Sequence, residues 1–294
     1  MANCPPPTDE RPALLIVGHG SRSSAGVDEY WKLAAEVKAA APDLRVGCGF
    51  IELAGPDLDT AIDDLVAVGA TSVVAVPLVL LGAGHMKNDG PSALRRARGR
   101  HPQIDFRYGR DLGINPTVLG LAEQRIREVT DHDPSDWAVV VVSRGSSDPD
   151  ANSDLFKVAR LLWDRRGIGW VEPAFVSLVP PDVPSALDRC VALGGRRVAV
   201  VSYFLFTGIL VQRISDQTVA WAASHPDIEV RVGAHLGPHP LIAKFVLERF
   251  REAGSGDVRM NCDLCVYRVT LPGYENAAPH NHHHHDHLTA TEGR

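Results

Sequence analysis

A stretch of this chain occurs twice, and that duplication limits the fold more than any other feature. Pro56 and Asp57 recur 125 positions later as Pro181 and Asp182, and Ala61, Asp63, Val66, Ala67 and Gly69 recur as Ala186, Asp188, Val191, Ala192 and Gly194. Further on the offset is 124: His101-Pro102 returns as His225-Pro226, with Arg107/Arg231, Gly109/Gly233, Leu112/Leu236, Gly113/Gly237 and Pro116/Pro240 in register. Solenoid units run to roughly 20–50 residues, so a period this long is a repeated domain. A chain of 294 residues also exceeds one ordinary core. The expected organisation is a tail at 1–11, a first domain at 12–133, a second at 134–254 and a flexible tail at 255–294.

Each copy reads as strand alternating with helix. Residues 14–17 are a short apolar run, as in a parallel strand buried on both faces. A Gly/Ser-rich loop at 18–26 precedes a helix whose apolar face would hold Val27, Tyr30, Trp31, Ala34 and Val37, with Pro42 ending it. The pattern predicts strands at 45–53, 72–81 and 104–108. It predicts helices at 56–68 (with Gly69 near the C-terminus), at 92–100 and at 116–129 (with Pro116 near its start). The fold class is α/β: two tandem-duplicated domains, each an open parallel sheet flanked by helices. Ligands in such sheets bind beyond the carboxyl ends of the strands.

The copies differ where chemistry would sit. Leu14-Leu-Ile-Val-Gly-His-Gly-Ser21 has Val139-Val-Val-Val-Ser-Arg-Gly-Ser146 as its counterpart, so Arg144 stands where His19 stood. Ser177 replaces Glu52, and Leu210 replaces His85. Singly, each first-copy residue has an ordinary reading: a histidine at a strand end is often a bystander, and Glu52 is placed to cap the next helix. Together, on three strand ends of one copy, two imidazoles and a carboxylate form a metal or proton-transfer site. A Gly-x-Ser-x-Gly elbow is absent, which argues against a serine hydrolase, and no Walker or dinucleotide glycine pattern is present.

Three segments, Gly18-His-Gly-Ser-Arg22, Phe50-Ile-Glu-Leu53 and Pro77-Leu-Val-Leu-Leu-Gly-Ala-Gly-His-Met86, resemble the sirohydrochlorin chelatases, in particular the long CbiX-type cobaltochelatases. The resemblance covers roughly residues 12–253. It implies ATP-independent insertion of a divalent metal into a tetrapyrrole held between two similar α/β domains. His19 and His85 match the family's metal-binding histidines and Glu52 their acidic partner, and these three would also be the catalytic residues. Insertion needs no cofactor; Co²⁺, or Fe²⁺, is a substrate. The macrocycle carries many carboxylates, so Ser21, Arg22, Lys87, Arg95 and Arg96 are candidate substrate-binding residues, although exposed basic residues are more often solvated surface.

The tail departs from the repeat. Met260-Asn-Cys-Asp-Leu-Cys265 places Cys262 and Cys265 in a Cys-x-x-Cys pair, half of a four-thiolate site or a redox dithiol. In long CbiX proteins a similar motif is associated with an iron–sulfur centre. His280, His282, His283, His284, His285 and His287 read as a metal-scavenging segment rather than an expression tag, because only four are consecutive. The expected partners are a small-molecule tetrapyrrole and a divalent metal. The chain would be a monomer through its internal duplication, or a dimer if a cluster is shared.

A net charge of −6 without a basic stripe argues against nucleic acid. No signal peptide and no membrane-spanning run are read in the sequence, which points to the cytoplasm and reduced cysteines. Two other functions remain open: iron insertion for sirohaem, and a non-catalytic metal carrier built around the tail. The tail tilts the choice to cobalt.

Overall fold

Alternation of apolar side chains along the first strand divides its neighbours into two cores. In the computed structural model, which describes residues 12–164 and 166–256 (for His85 the backbone alone), β1 (Ala13–Gly18) is buried along its whole length. Leu14 and Ile16 enter one core, whereas Ala13, Leu15 and Val17 enter another. The remaining elements of the first half are α1 (Ser24–Ala40), β2 (Val46–Phe50), α2 (Leu58–Ala67), β3 (Ser72–Pro77), α3 (Gly84–Arg100), β4 (Asp105–Tyr108) and α4 (Pro116–Val129). The second half repeats them as β5 (Ala138–Ser143), α5 (Pro149–Trp163), β6 (Trp170–Phe175), α6 (Val183–Ala192), β7 (Arg197–Ser202), α7 (Ile209–Ala223), β8 (Glu229–Gly233) and α8 (Pro240–Gly254). Two four-stranded sheets result, with orders β2-β1-β3-β4 and β6-β5-β7-β8, all strands parallel. The α/β class read from the sequence is what the chain adopts.

Local chemistry explains most boundaries. Asp57 caps α2 by accepting the Thr60 N–H at 2.8 Å, and Asp182 caps α6 through Ser185 at 2.9 Å. The buried stripe of α1 is Tyr30, Leu33, Ala34 and Val37, an i, i+3, i+4, i+7 set. Trp31, expected on that face, lies about a quarter turn away and is 36% exposed, with its edge against Phe50. The strand expected at 45–53 stops at Phe50, where the chain folds back so that the Phe50 N–H donates to the Pro56 carbonyl. The strand expected at 72–81 likewise stops at Pro77.

The largest departure is α3. The sequence pattern starts this helix after Pro91, yet it begins at Gly84 and carries Pro91 inside it. An internal proline removes one helical donor and crowds the carbonyl four residues back, which is why the pattern seemed to start later. His85 therefore sits in the first turn of a helix and not in a loop.

The two halves exchange their last helices. The helix α8, from the second half, packs on β3, β4 and α1; α4, from the first, packs on β7, β8 and α5. One core consequently runs through both halves, from Leu14 and Tyr30 to Val139, Leu155 and Phe245. Paired arginines stitch the exchange: Arg125 Nε donates to the His235 carbonyl at 2.9 Å, and Arg249 Nε to the Asp111 carbonyl at 3.0 Å. These residues occupy matching places in the repeat.

A fragment comprising residues 12–133 lacks α8, so the inner face of its sheet keeps only the cover that α1 supplies. Two such fragments can restore the cover by each lending α4 to the other. We expect the fragment to run as a dimer in light scattering, and a stable folded monomer would contradict the exchange.

Candidate metal centre

Where β1 ends, the next residue is His19, and the loop after β2 is laced to it. The Ile51 N–H donates to the Gly18 carbonyl at 2.9 Å and the Glu52 N–H to the His19 carbonyl at 3.1 Å, extending the parallel pairing two residues past the strands. Such close approach depends on Gly20, whose φ is +97° and where a Cβ would lie 1.7 Å from the Glu52 carbonyl oxygen. The lacing brings His19 Nε2 to 3.5 Å from Glu52 Oε1, with the two side chains 27% and 43% exposed. An imidazole and a carboxylate thus face one another on an accessible rim.

The second half rebuilds this loop without its chemistry. The Val176 N–H donates to the Ser143 carbonyl at 2.9 Å and the Ser177 N–H to the Arg144 carbonyl at 3.1 Å. Gly145 has φ +84°, and a Cβ there would lie 2.2 Å from the Ser177 carbonyl oxygen. Leu53 and Leu178 even share a left-handed backbone, at φ 63° and 71°. Strain at a non-glycine left-handed residue is often a sign of function. Its presence in the copy without histidines assigns it to the loop's architecture.

His85 begins the third corner of the site. The strand β3 leads into residues 78–83, which lie beside β1 through the Leu78 N–H to Val17 carbonyl bond at 2.8 Å. Its side chain lies outside the described residues. Among the described residues, no three or more His, Cys, Asp or Glu side chains come together as a metal site. Cys262, Cys265 and the six tail histidines also fall outside them.

The two rims oppose each other. Next to His85, Lys87 Nζ donates to Asp148 Oδ2 at 2.9 Å and to Asp150 Oδ2 at 2.7 Å, reaching the cap and first turn of α5. At the matching place on the other side, Ser23 and residues Thr207, Gly208, Gln212, Arg213 and Asp216 line a cavity of about 470 Å³. Lys87, expected to hold substrate, is thus already engaged by two carboxylates. Arg96, expected likewise, points its guanidinium at Asp59 on α2, at 3.1 Å. Ser21 Oγ accepts the Ser23 N–H at 3.0 Å. Arg22 and Arg95 are exposed. Arg144 and Arg213, which the sequence reading passed over as anchors, are exposed too, and among the described residues Arg22, Arg144 and Arg213 form no ion pair.

Asp111 was also missed, since nothing in its sequence context marks it. It follows β4, and its Oδ2 accepts the Gly82 N–H at 2.6 Å. Removal from water pushes its carboxyl up to about 6, helped by the nearby Asp154 charge and opposed by the Gly82 hydrogen bond and by Arg110 and Arg249.

A family model described as CbiX matches residues 13–129 and again 138–253. The chain belongs to the CbiX family. A sirohydrochlorin cobaltochelatase of Priestia megaterium is 37% identical over 262 residues, covering 88% of this chain and 85% of that protein. A sirohydrochlorin ferrochelatase of Bacillus subtilis (strain 168) is 32% identical, covering 83% and 92%. Among solved structures, SirB from Bacillus subtilis with Fe³⁺ is 31% identical with a TM-score of 0.75, covering 84% of this chain and 97% of that one. The same chelatase from Bacillus subtilis subspecies spizizenii, in complex with cobalt, gives a TM-score of 0.70 at 31% identity, covering 84% and 96%. Both CbiX repeats thus coincide with the two sheets seen here.

Two predictions follow from the geometry of this CbiX site. Gly20→Ala and Gly145→Ala should each lower stability by about 2 kcal/mol or more in urea unfolding, because both loops need a left-handed glycine against a carbonyl. Tolerance of alanine at either position would contradict the loop geometry. The second concerns Asp111, whose folded-state pKa lies above the usual carboxylate value of 3.8. A raised acid binds its proton more tightly when folded, so its contribution is full below pH 4 and is lost as pH rises to 6. Relative to the parent, Asp111→Asn should therefore gain on the order of 2 kcal/mol between pH 4 and pH 7. Identical pH dependence of unfolding in parent and variant would refute this.

Proposed function

We propose that the chain inserts Co²⁺ into sirohydrochlorin without nucleotide hydrolysis. The observation that carries the reading is the His19–Glu52 pair at 3.5 Å, present on the rim of one half only. Its weight comes from a chain 37% identical to a cobaltochelatase over 262 residues. The metal arrives as a hydrated substrate, and the macrocycle carries two inner N–H protons. Both water and protons have to leave before four nitrogens can ligate the ion. His19 and His85 replace water on the metal as neutral imidazoles. Glu52, partly exposed, accepts a ring proton and passes it to solvent. Two protons leave for each divalent ion inserted, so charge balances without a further reactant.

The ring's carboxylates need cations on the rim. Arg22, Arg144 and Arg213 suit this better than Lys87 or Arg96, because among the described residues their guanidinium groups have no carboxylate to give up. Arg95, on the exposed face of α3 beside Arg96, is the weakest anchor of this group. The second half supplies the opposite wall of the site, which lets one chain work as a monomer.

Iron insertion is the second reading. The ferrochelatase of Bacillus subtilis is 32% identical over 244 residues, and SirB structures carry Fe³⁺ or cobalt. Irving–Williams preferences between Fe²⁺ and Co²⁺ are modest, so supply selects the metal. Purified protein given sirohydrochlorin and either ion, followed spectrally under anaerobic conditions, ranks the two.

His19→Ala and His85→Ala should each cut the insertion rate by about 10²-fold or more with the fold intact by circular dichroism. Deleting residues 255–294 should leave the rate within about threefold, a barrier change under roughly 0.7 kcal/mol. Near-normal turnover in both histidine variants would sink the site. Loss of activity on deletion would instead bring Cys262, Cys265 and the histidine segment into the reaction, whereas a non-catalytic carrier would lose most of its metal capacity.

A further inference from the structure

His85 is bracketed in sequence by Gly82 and Met86, and one neighbouring segment holds the backbone of both. On one side, Asp111 Oδ2 accepts the Gly82 N–H at 2.6 Å. On the other, the Tyr108 hydroxyl donates to the Met86 carbonyl at 2.8 Å. Tyr108 closes β4 and Asp111 lies three residues beyond it, so a single run of chain grips the turn before α3 and the first turn of the helix itself. Further bonds seat that run: the Leu112 N–H donates to the Val79 carbonyl at 2.8 Å and the Gly113 N–H to the Leu80 carbonyl at 2.9 Å.

Glycines make room for both grips. A Cβ on Gly82 would lie 2.8 Å from Asp111 Oδ2, and one on Gly90 would lie 2.2 Å from the Tyr108 hydroxyl. The second half, which lacks the histidine, lacks the tyrosine grip and holds the other point by a different carboxylate, Glu29, which His235 Nε2 contacts at 3.0 Å. Val232 stands at the place of Tyr108 and His235 at that of Asp111. There the matching N–H, that of Thr207, donates instead to Glu29 of α1 at 2.6 Å.

We propose that Tyr108 and Asp111 are positioning residues for His85, fixing the backbone from which its imidazole meets the incoming metal. The proposal rests on the reading of His85 as a site residue. Helix starts fray unless their free backbone groups are held. Ala83, the cap of α3, supplies no side-chain hydrogen bond. Tyr108 and Asp111 instead fix the chain on either side of that cap from outside the helix, through the Met86 carbonyl and the Gly82 N–H. The exchanged helix α8 supports them in turn, since Arg249 donates to the Asp111 carbonyl at 3.0 Å and to the Leu112 carbonyl at 2.8 Å. The second half thereby contributes to the geometry of a centre whose ligands all lie in the first.

The test is Co²⁺ binding to the full chain without macrocycle, read by calorimetry and by the visible ligand-field spectrum, which reports coordination directly. Tyr108→Phe/Asp111→Ala should weaken Co²⁺ binding at this site by about 10–100-fold, the usual cost of losing groups that orient a ligand, and should change the spectrum. Asp111→Asn keeps an oxygen that accepts the Gly82 N–H, so it should stay within about threefold of the parent. The isosteric Tyr108→Phe alone gives a smaller loss in the same direction and serves if the double variant does not fold. Parental affinity and spectrum in the foldable variants would overturn the proposal, as would an Asp111→Asn defect equal to that of Asp111→Ala. If His85→Ala itself leaves Co²⁺ binding unchanged, the reading of the site has failed. If His85→Ala is damaging while Tyr108→Phe/Asp111→Ala is not, this inference alone has failed.

Discussion

Exchange of α4 and α8 is the constraint on which the rest of this structure depends. A parallel sheet must be covered on both faces, and here each inner face is completed by the other half's last helix. Separating the halves would therefore expose Val118, Leu121 and Ile126 of α4 together with Ile242, Phe245 and Val246 of α8. At roughly 25 cal/mol per Å² of apolar surface, such exposure costs far more than a hinge motion usually does. The opposed rims are held by this core and not only by contacts at the rims.

On that frame, duplication separates scaffold from chemistry. The laced loops at 18–20 with 50–53 and at 143–145 with 175–178 share hydrogen bonds, a left-handed glycine and a left-handed leucine. What differs is the side chain at three positions and the grip on one helix start. The first half keeps His19, Glu52, His85, Tyr108 and Asp111; the second has Arg144, Ser177, Leu210, Val232 and His235. Charge is redistributed to match. A carboxylate and an imidazole that suit a cation stand on one rim, and guanidinium groups that form no ion pair among the described residues, and so suit carboxylates, stand in both halves. A planar polyanion that has to receive a metal at its centre calls for both.

Much was determined by the sequence alone, for local physical reasons. Alternating apolar runs and helix stripes are properties of short segments, so β1, α1, α2 and α4 were legible, as was the α/β class. Comparison of the copies singled out His19, Glu52 and His85, because a missing side chain in a kept frame is visible without coordinates. Family membership followed from the same three segments.

Other features needed the tertiary structure, since they depend on residues far apart in the chain. Nothing local tells α4 to cover β7 and β8 instead of its own sheet; that is decided by which apolar faces meet. Lys87 looks like a free cation until Asp148 and Asp150 arrive from 61 and 63 residues away. The helix α3 runs through Pro91, and the bonds that Tyr108 and Asp111 make at its start come from a segment about 20 to 30 residues further along the chain. Asp111 is an ordinary acid in sequence, and only its removal from water beside Gly82, Asp154 and Arg249 changes its proton affinity. Periodicity in sequence reports how a segment meets its surroundings, but not which segment those surroundings are.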